Sequence, residues 1–130
     1  MIKQISWESA AQFATGCELK CLNLDKGNTY FGKYVNNQMV AIASYRFVTK
    51  NDCRIKSNYT EKSHRGKGYC TDLIRHIVGN VSSRKYSAYC EDSSLNLYLK
   101  LGFKLRSIRR NKYHTSYIVE LCPPEAEQYS

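Results

Sequence analysis

Hydrophobic and polar positions change period several times along the chain, and each change marks an element. Near the start, Trp7, Ala10, Ala11 and Ala14 recur at helical spacing behind Ser6, a residue whose hydroxyl can cap a helix. A helix is therefore predicted over SWESAAQFA, and a second, short one within GCELKCLNLDKGN, ending near Gly27. TYFGKYV and QMVAIASYRFV then flank Asn36-Asn37, and asparagine tolerates positive φ, so residues 29–48 predict a hairpin with a tight turn. CRIKSNYT, residues 53–60, alternates as a third strand. After HRGKGYC the helical period returns. Tyr69, Leu73, Ile77 and Val81 recur with Ile74 and Val78 beside them, while Asp72, Arg75 and His76 take the wet face; this helix should close near Gly79-Asn80. KYSAYC, residues 85–90, is the next strand. DSSLNLYLKLGF holds a helix capped by Asp92 or Ser93 and stopped by Gly102. FKLRSIRR and YHTSYIVEL are two final strands, Pro123-Pro124 ends the ordered chain, and EAEQYS is expected as a loose tail.

The elements sum to a single α/β (α+β) domain over residues 1–122, with a tail over 123–130. Its sheet is largely antiparallel, with a strand–turn–helix–strand crossover in the middle. A length of 130 residues suits one core, and 42% hydrophobic residues fit a packed globule rather than a disordered chain. No apolar run reaches the ~18 residues that a membrane span needs. The start, MIKQISWESAAQF, lacks the apolar core of a signal peptide, so a cytoplasmic protein with no membrane partner is expected. Cys17, Cys21, Cys53, Cys70, Cys90 and Cys122 are scattered and expected to be reduced. Cys17 and Cys21 lack a second matching pair of ligands, so no metal is expected. The net charge of +9 implies an anionic partner. Much of it lies at Lys100, Lys104, Arg106, Arg109, Arg110 and Lys112, either as a solvated hairpin face or as a functional patch.

The stretch HRGKGYC joins a strand to a helix N-terminus. Such a turn presents unpaired backbone N–H groups, and the helix dipole adds partial positive charge, so it suits an anion. Gly66 and Gly68 permit close backbone approach, and Arg65 and Lys67 add charge; a pyrophosphate is the natural guest. A Walker A loop fails, because Glu61 stands where its first glycine belongs. The dinucleotide fingerprint fails at Thr71, where its third glycine belongs. An RNA-binding RNP1 motif fits poorly: Lys67 replaces an aromatic residue, and a helix follows rather than a strand.

The pattern R-x-x-G-x-[GA] remains, and TEKSHRGKGYCTDLIRHIV resembles the acetyl-CoA-binding motif of the GNAT (Gcn5-related N-acetyltransferase) superfamily. Independently, EDSSLNLYLKLGF resembles that family's N-x-x-A-x-x-x-Y-x-x-x-G-F signature through Tyr98, Gly102 and Phe103. The order of the preceding elements also matches, so the resemblance covers nearly the whole chain. It implies a GNAT-like mixed sheet with a central splayed strand pair, CRIKSNYT and KYSAYC, with the cofactor in the resulting V. It implies acetyl-CoA as cofactor, its pyrophosphate cradled by Arg65, Gly66, Lys67, Gly68, Tyr69 and Cys70, and its pantetheine beside Asn58, Tyr59 and Thr60. Tyr98 would be the general acid that protonates the departing CoA thiolate. Cys70 replaces the usual Gly or Ala, Glu91 a frequent Asn, and Ser94 an Ala. For the general base the sequence offers Asp52, Ser57, Tyr59, Glu61, Glu91 and Asp92; Glu91 is the first choice, since it should lie at the mouth of the V. His64 is expected to pack, and His76 to be inert.

The function implied is an N-acetyltransferase acting by direct attack in a ternary complex. The basic charge and the short segment ahead of the hairpin suggest a macromolecular acceptor, an acidic protein or an aminoacyl-tRNA. Members of this family often form homodimers, although the sequence marks no dimer seam. The alternative is a catalytically inactive module of the same fold, whose basic surface binds nucleic acid or an acidic protein.

Overall fold

The structure is a computed structural model that describes residues 1–17 and 24–123. The described strands form one sheet in the order β1-β2-β3-β4-β5-β7-β6. These are β1 (Ile2–Ile5), β2 (Thr29–Val35), β3 (Gln38–Thr49), β4 (Asp52–Thr60), β5 (Lys85–Cys90), β6 (Lys104–Arg110) and β7 (Thr115–Leu121). The α-helices are α1 (Trp7–Gly16), α2 (Tyr69–Asn80) and α3 (Asp92–Lys100). Pairing is antiparallel for β1–β2, β2–β3, β5–β7 and β6–β7, and parallel for β4–β5. This is the mixed, largely antiparallel α/β architecture expected.

The chain divides into two compact units: Met1–Arg46 with Lys56–Asn80, and Phe47–Ile55 with Val81–Ser130. In the first unit, Ser6 accepts a hydrogen bond from the Ser9 N–H at 3.1 Å and so fixes the start of α1. That helix turns Ala10 onto Tyr30 and Ile42, with Ile5, Trp7, Phe13, Leu24, Met39 and Tyr59 around them. Trp7 Nε1 donates to the Leu24 carbonyl at 2.8 Å, which satisfies its one polar atom. Asn36 and Asn37 have φ of 51° and 63°, the left-handed pair that a two-residue hairpin turn needs. Helix α2 buries Leu73, Ile74 and Ile77, as its period predicts. His76 departs from the expected wet face. Its ring stands edge-on to Phe31 at 4.9 Å, so it covers apolar surface.

In the second unit, β5 lies between the first half of β4 (Asp52↔Lys85 to Ile55↔Ala88) and β7 (Tyr86↔Leu121 to Cys90↔Tyr117). Asp52 and Ser87 are only 7% and 1% exposed, yet both are polar. Each is paired. Ser87 Oγ donates to Asp52 Oδ1 at 2.6 Å, and Arg54 Nε donates to Ser87 Oγ at 2.7 Å. Lys85 bridges Asp52 (3.8 Å) to Glu120 (3.2 Å), and Arg106 holds Glu120 at 2.9 Å.

Several expectations change. The short pairing of β1 with β2 was not foreseen, because a four-residue segment with two isoleucines carries little pattern of its own. The second helix expected before Gly27, Cys21 and the tail from 124 fall wholly or largely outside the described residues. His114 does not begin the last strand. It sits in a turn where the Asn111 side-chain oxygen accepts from the N–H groups of Tyr113 (2.8 Å) and His114 (2.9 Å), and β7 starts at Thr115.

Asp52→Ala should cost about 2 kcal/mol, since it leaves Ser87 and part of the cationic charge of Arg54 and Lys85 without a partner in a largely dry site. Urea denaturation measures this; a loss below about 0.5 kcal/mol, the range of ordinary surface substitutions, would remove the network from the list of stabilising features.

Candidate functional site

The glycine turn is built from β4 outward. Ser57 has φ of 53°, a left-handed conformation that a side chain adopts at a cost, and it interrupts the alternation of β4 just before Asn58, Tyr59 and Thr60. Asn58, Tyr59 and Thr60 are half-buried. Glu61 closes the strand: its N–H donates to the Val40 carbonyl at 2.8 Å, and its carboxylate accepts from the Ser63 N–H at 3.0 Å. The Ser63 hydroxyl donates to the same carboxylate oxygen, and His64 Nδ1 lies 2.7 Å from it. These bonds hold the single 3₁₀ turn of Lys62–His64. They also hold the Glu61 carboxyl below the usual range, with Ser63 the largest cause.

Arg65 is extended, with φ −74° and ψ 157°. Its Nε donates to the Thr60 carbonyl at 3.2 Å, and its guanidinium lies 5.2 Å from the centre of the Tyr59 ring. The motif arginine is thus anchored at its base, with its outer N–H groups left for a ligand. Gly66 and Gly68 follow at φ 79° and 82°. A Cβ on either would meet nothing within 4 Å, so glycine is required there by the backbone conformation rather than by crowding. The first hydrogen bond of α2 runs from the Asp72 N–H to the Gly68 carbonyl at 3.0 Å. The N–H groups of Tyr69, Cys70 and Thr71 therefore have no partner within the helix, and the helix dipole adds to their pull on an anion. Burial pushes the Cys70 thiol up to about 11, so it remains neutral at pH 7 and adds no negative charge to the turn.

Tyr98 and Glu91 belong to the second unit. Helix α3 ends in a Schellman closure: the Gly102 N–H donates to the Leu99 carbonyl (3.1 Å) and the Phe103 N–H to the Tyr98 carbonyl (3.1 Å), with Gly102 at φ 96°. The Phe103 ring meets the Tyr98 ring edge-on at 5.1 Å. The spacing Y-x-x-x-G-F is thus the chemistry of a helix end, and it fixes the Tyr98 ring in one place, 4% exposed.

The start of α3 differs from expectation. Its N-cap is Glu91, which makes no side-chain cap bond, and the helix begins at Asp92. The reason is that the Asp92 carboxylate is taken by the Tyr117 hydroxyl. Among the candidate bases, Asp52, Glu61 and Asp92 are all committed to structural partners, while Glu91 is exposed. No group of three or more metal-ligating side chains occurs among the described residues.

A family model described as the acetyltransferase (GNAT) family matches residues 2–103. The chain belongs to the GNAT acetyltransferase family. No curated protein matches it by sequence. Its fold is shared with GNAT structures at low identity. An IAA acetyltransferase from Bacillus cereus superposes with TM-score 0.74 at 15% identity, covering 95% of this chain and 99% of its own. The ribosomal-protein-S18-alanine N-acetyltransferase of Escherichia coli superposes with TM-score 0.75 at 18% identity, covering 94% of each chain. A GNAT acetyltransferase from Elizabethkingia anophelis with acetyl-CoA bound gives TM-score 0.71 at 16% identity, covering 95% of this chain and 97% of its own.

Two predictions follow from this geometry. Gly102→Ala should cost about 1–2 kcal/mol, because the Cβ has room (Leu121 Cδ1 at 3.7 Å) but the left-handed backbone does not suit it; equilibrium unfolding gives the value. The lowered Glu61 carboxyl contributes stability that is complete above the ordinary glutamate range and is lost as pH falls through its lowered value. The melting temperature of Glu61→Gln should therefore fall below wild type at neutral pH, and the difference should shrink as the pH falls below the ordinary glutamate range.

Proposed function

We propose that this GNAT protein transfers an acetyl group from acetyl-CoA to an amine on a macromolecule, a protein or an aminoacyl-tRNA. The observation that carries this reading is the glycine turn. It combines an anchored Arg65, two left-handed glycines and three helix N–H groups free of intrahelical bonds, the donor set that a pyrophosphate requires. In this reading residues 65–70 hold the pyrophosphate, and Asn58, Tyr59 and Thr60 run beside the pantetheine arm. The acetylated acceptor of the Escherichia coli relative, a ribosomal-protein alanine, supports a protein amine, and the charge of +9 supports an acidic or nucleic-acid surface around it.

The chemistry needs no covalent enzyme intermediate. A neutral amine attacks the thioester carbonyl, and a C–N bond forms. The tetrahedral intermediate collapses with cleavage of the C–S bond, and the thiolate takes a proton from the Tyr98 hydroxyl. The amine's proton leaves through water to Glu91, an exposed candidate carboxylate that makes no side-chain cap bond at the start of α3. Positioning supplies much of the rate, and proton transfer about a hundredfold or more. A cytoplasmic location agrees with the free thiols of Cys17, Cys53, Cys70, Cys90 and Cys122, and no helix of the described residues is long and apolar enough to cross a membrane.

Calorimetric titration with acetyl-CoA, run beside Gly68→Trp, tests the cofactor site: binding should vanish in the variant while its melting temperature stays close to wild type. Tyr98→Phe keeps the ring that packs on Phe103 and removes only the hydroxyl. Acetyl transfer should fall about a hundredfold with unchanged acetyl-CoA affinity. Undiminished transfer would exclude Tyr98 as the acid, and undiminished function without any acetyl-CoA binding would instead favour a binding module.

A further inference from the structure

In the second unit the side chains of each strand divide between two faces of the sheet. Val119 on β7 is fully buried, and its neighbour Tyr117 donates to Asp92 at the start of α3, so this side of β7 faces the helix. Ser116, Ile118 and Glu120 alternate to the other side. Tyr89 of β5 lies opposite Ile118, Ile118 opposite Ser107 of β6, and Ser116 opposite Arg109, which puts Tyr89 and Arg109 on that second face. Arg54 joins them, paired in register with Ser87, two residues from Tyr89.

Tyr89 is 54% exposed. The Arg54 guanidinium lies 4.3 Å from the centre of its ring, and that of Arg109 lies 5.7 Å away. The two arginines differ. Arg54 is tied down by Ser87 (2.7 Å) and Asp52 (3.6 Å). Arg109, with Lys112 beyond it, is in no salt bridge among the described residues; Arg110 lies opposite Thr115, on the side of α3. At the tip of the β6–β7 hairpin Tyr113 is 86% exposed, with Lys112 Nζ 5.7 Å from its ring centre. At two places an exposed ring thus lies beside a cation that is in no salt bridge among the described residues: Tyr89 beside Arg109, and Tyr113 beside Lys112.

We propose that this face, centred on Tyr89 and Arg109 and running to Tyr113, binds a single strand of nucleic acid. Bases stack on exposed rings and on guanidinium planes, and free cations neutralise the phosphates between them. Arg54 supports one part of the Tyr89 ring. Arg109 is the looser partner, so a base can take its place on the ring while its charge meets the adjoining phosphate. An acidic protein would engage the cations but give the two exposed rings no role. The apolar residues Leu105 and Ile108 lie opposite Val119 and Tyr117, on the side of α3, and so are not part of this face. The proposal does not depend on acetyl transfer.

The test is fluorescence anisotropy of the full chain with a labelled oligouridine RNA of about 15 nucleotides, at ~50 and ~200 mM salt. Binding should weaken steeply with salt. Tyr89→Ala should weaken it about tenfold, while Tyr89→Phe, which keeps the ring, retains it. Arg109→Gln should reduce the slope of log affinity against log salt by about one. Acetyl-CoA affinity should be the same in all three variants, which separates this surface from the glycine turn. The proposal is overturned by no binding at ~50 mM salt, by equal affinity in Tyr89→Ala and wild type, or by tighter binding of a polyglutamate peptide than of the RNA. A dimer that dissociates on Tyr89→Ala would equally overturn it, by making the face a self-association surface. Melting curves confirm that each variant is folded; if Tyr89→Ala is not, Tyr89→Phe and Arg109→Gln carry the test.

Discussion

An α-helix cannot satisfy its own first N–H groups or its last carbonyls, and this chain treats two of its helix ends in opposite ways. At the start of α2 the N–H groups are left without intrahelical partners, behind two left-handed glycines. At the end of α3 the carbonyls are closed by Gly102 and Phe103, and the closure packs a ring against Tyr98. The open end provides a place for an anion. The closed end fixes one aromatic side chain. The two sequence motifs that mark the family are the chemical requirements of these two ends.

The surroundings of each end serve the same division. Around the open end, charges are organised without being cancelled: Glu61 is occupied by Ser63 and His64, so the nearby arginine is left to a backbone carbonyl and a tyrosine ring. In the second unit, charges are paired where burial would make them costly, as at Asp52, while on the exposed edge strand β6 Arg106 is held by Glu120 and Arg109 is in no salt bridge among the described residues. A basic protein can thus keep free charge at its surface while its buried aspartate, Asp52, is paired.

Much of this was legible in the sequence. The periods of β2, β3, β5 and α2 are strong enough to give their bounds almost to the residue, and the Asn36-Asn37 turn follows from asparagine's tolerance of positive φ. The glycine turn was legible because glycine carries no Cβ to oppose a left-handed backbone and lets the chain approach a ligand closely. What stayed hidden depends on partners distant in sequence. The strand β1 exists through its pairing with β2, and His76 is claimed by Phe31 from another element. The N-cap of α3 shifts to Glu91 because Tyr117, twenty-five positions beyond Asp92, takes the aspartate. Ser57 carries a left-handed backbone that no residue preference signals, since serine has no special ease there.

Cys70 follows the two left-handed glycines, and its burial has a consequence for durability. Burial pushes its thiol up to about 11, so at pH 7 the protonated form prevails, and the thiolate is the form that oxidants attack. A sulfinate at this position would place a permanent negative charge at the mouth of an anion cradle. By favouring the protonated sulfur, burial makes oxidation of this residue slower than that of an exposed thiol of ordinary pKa.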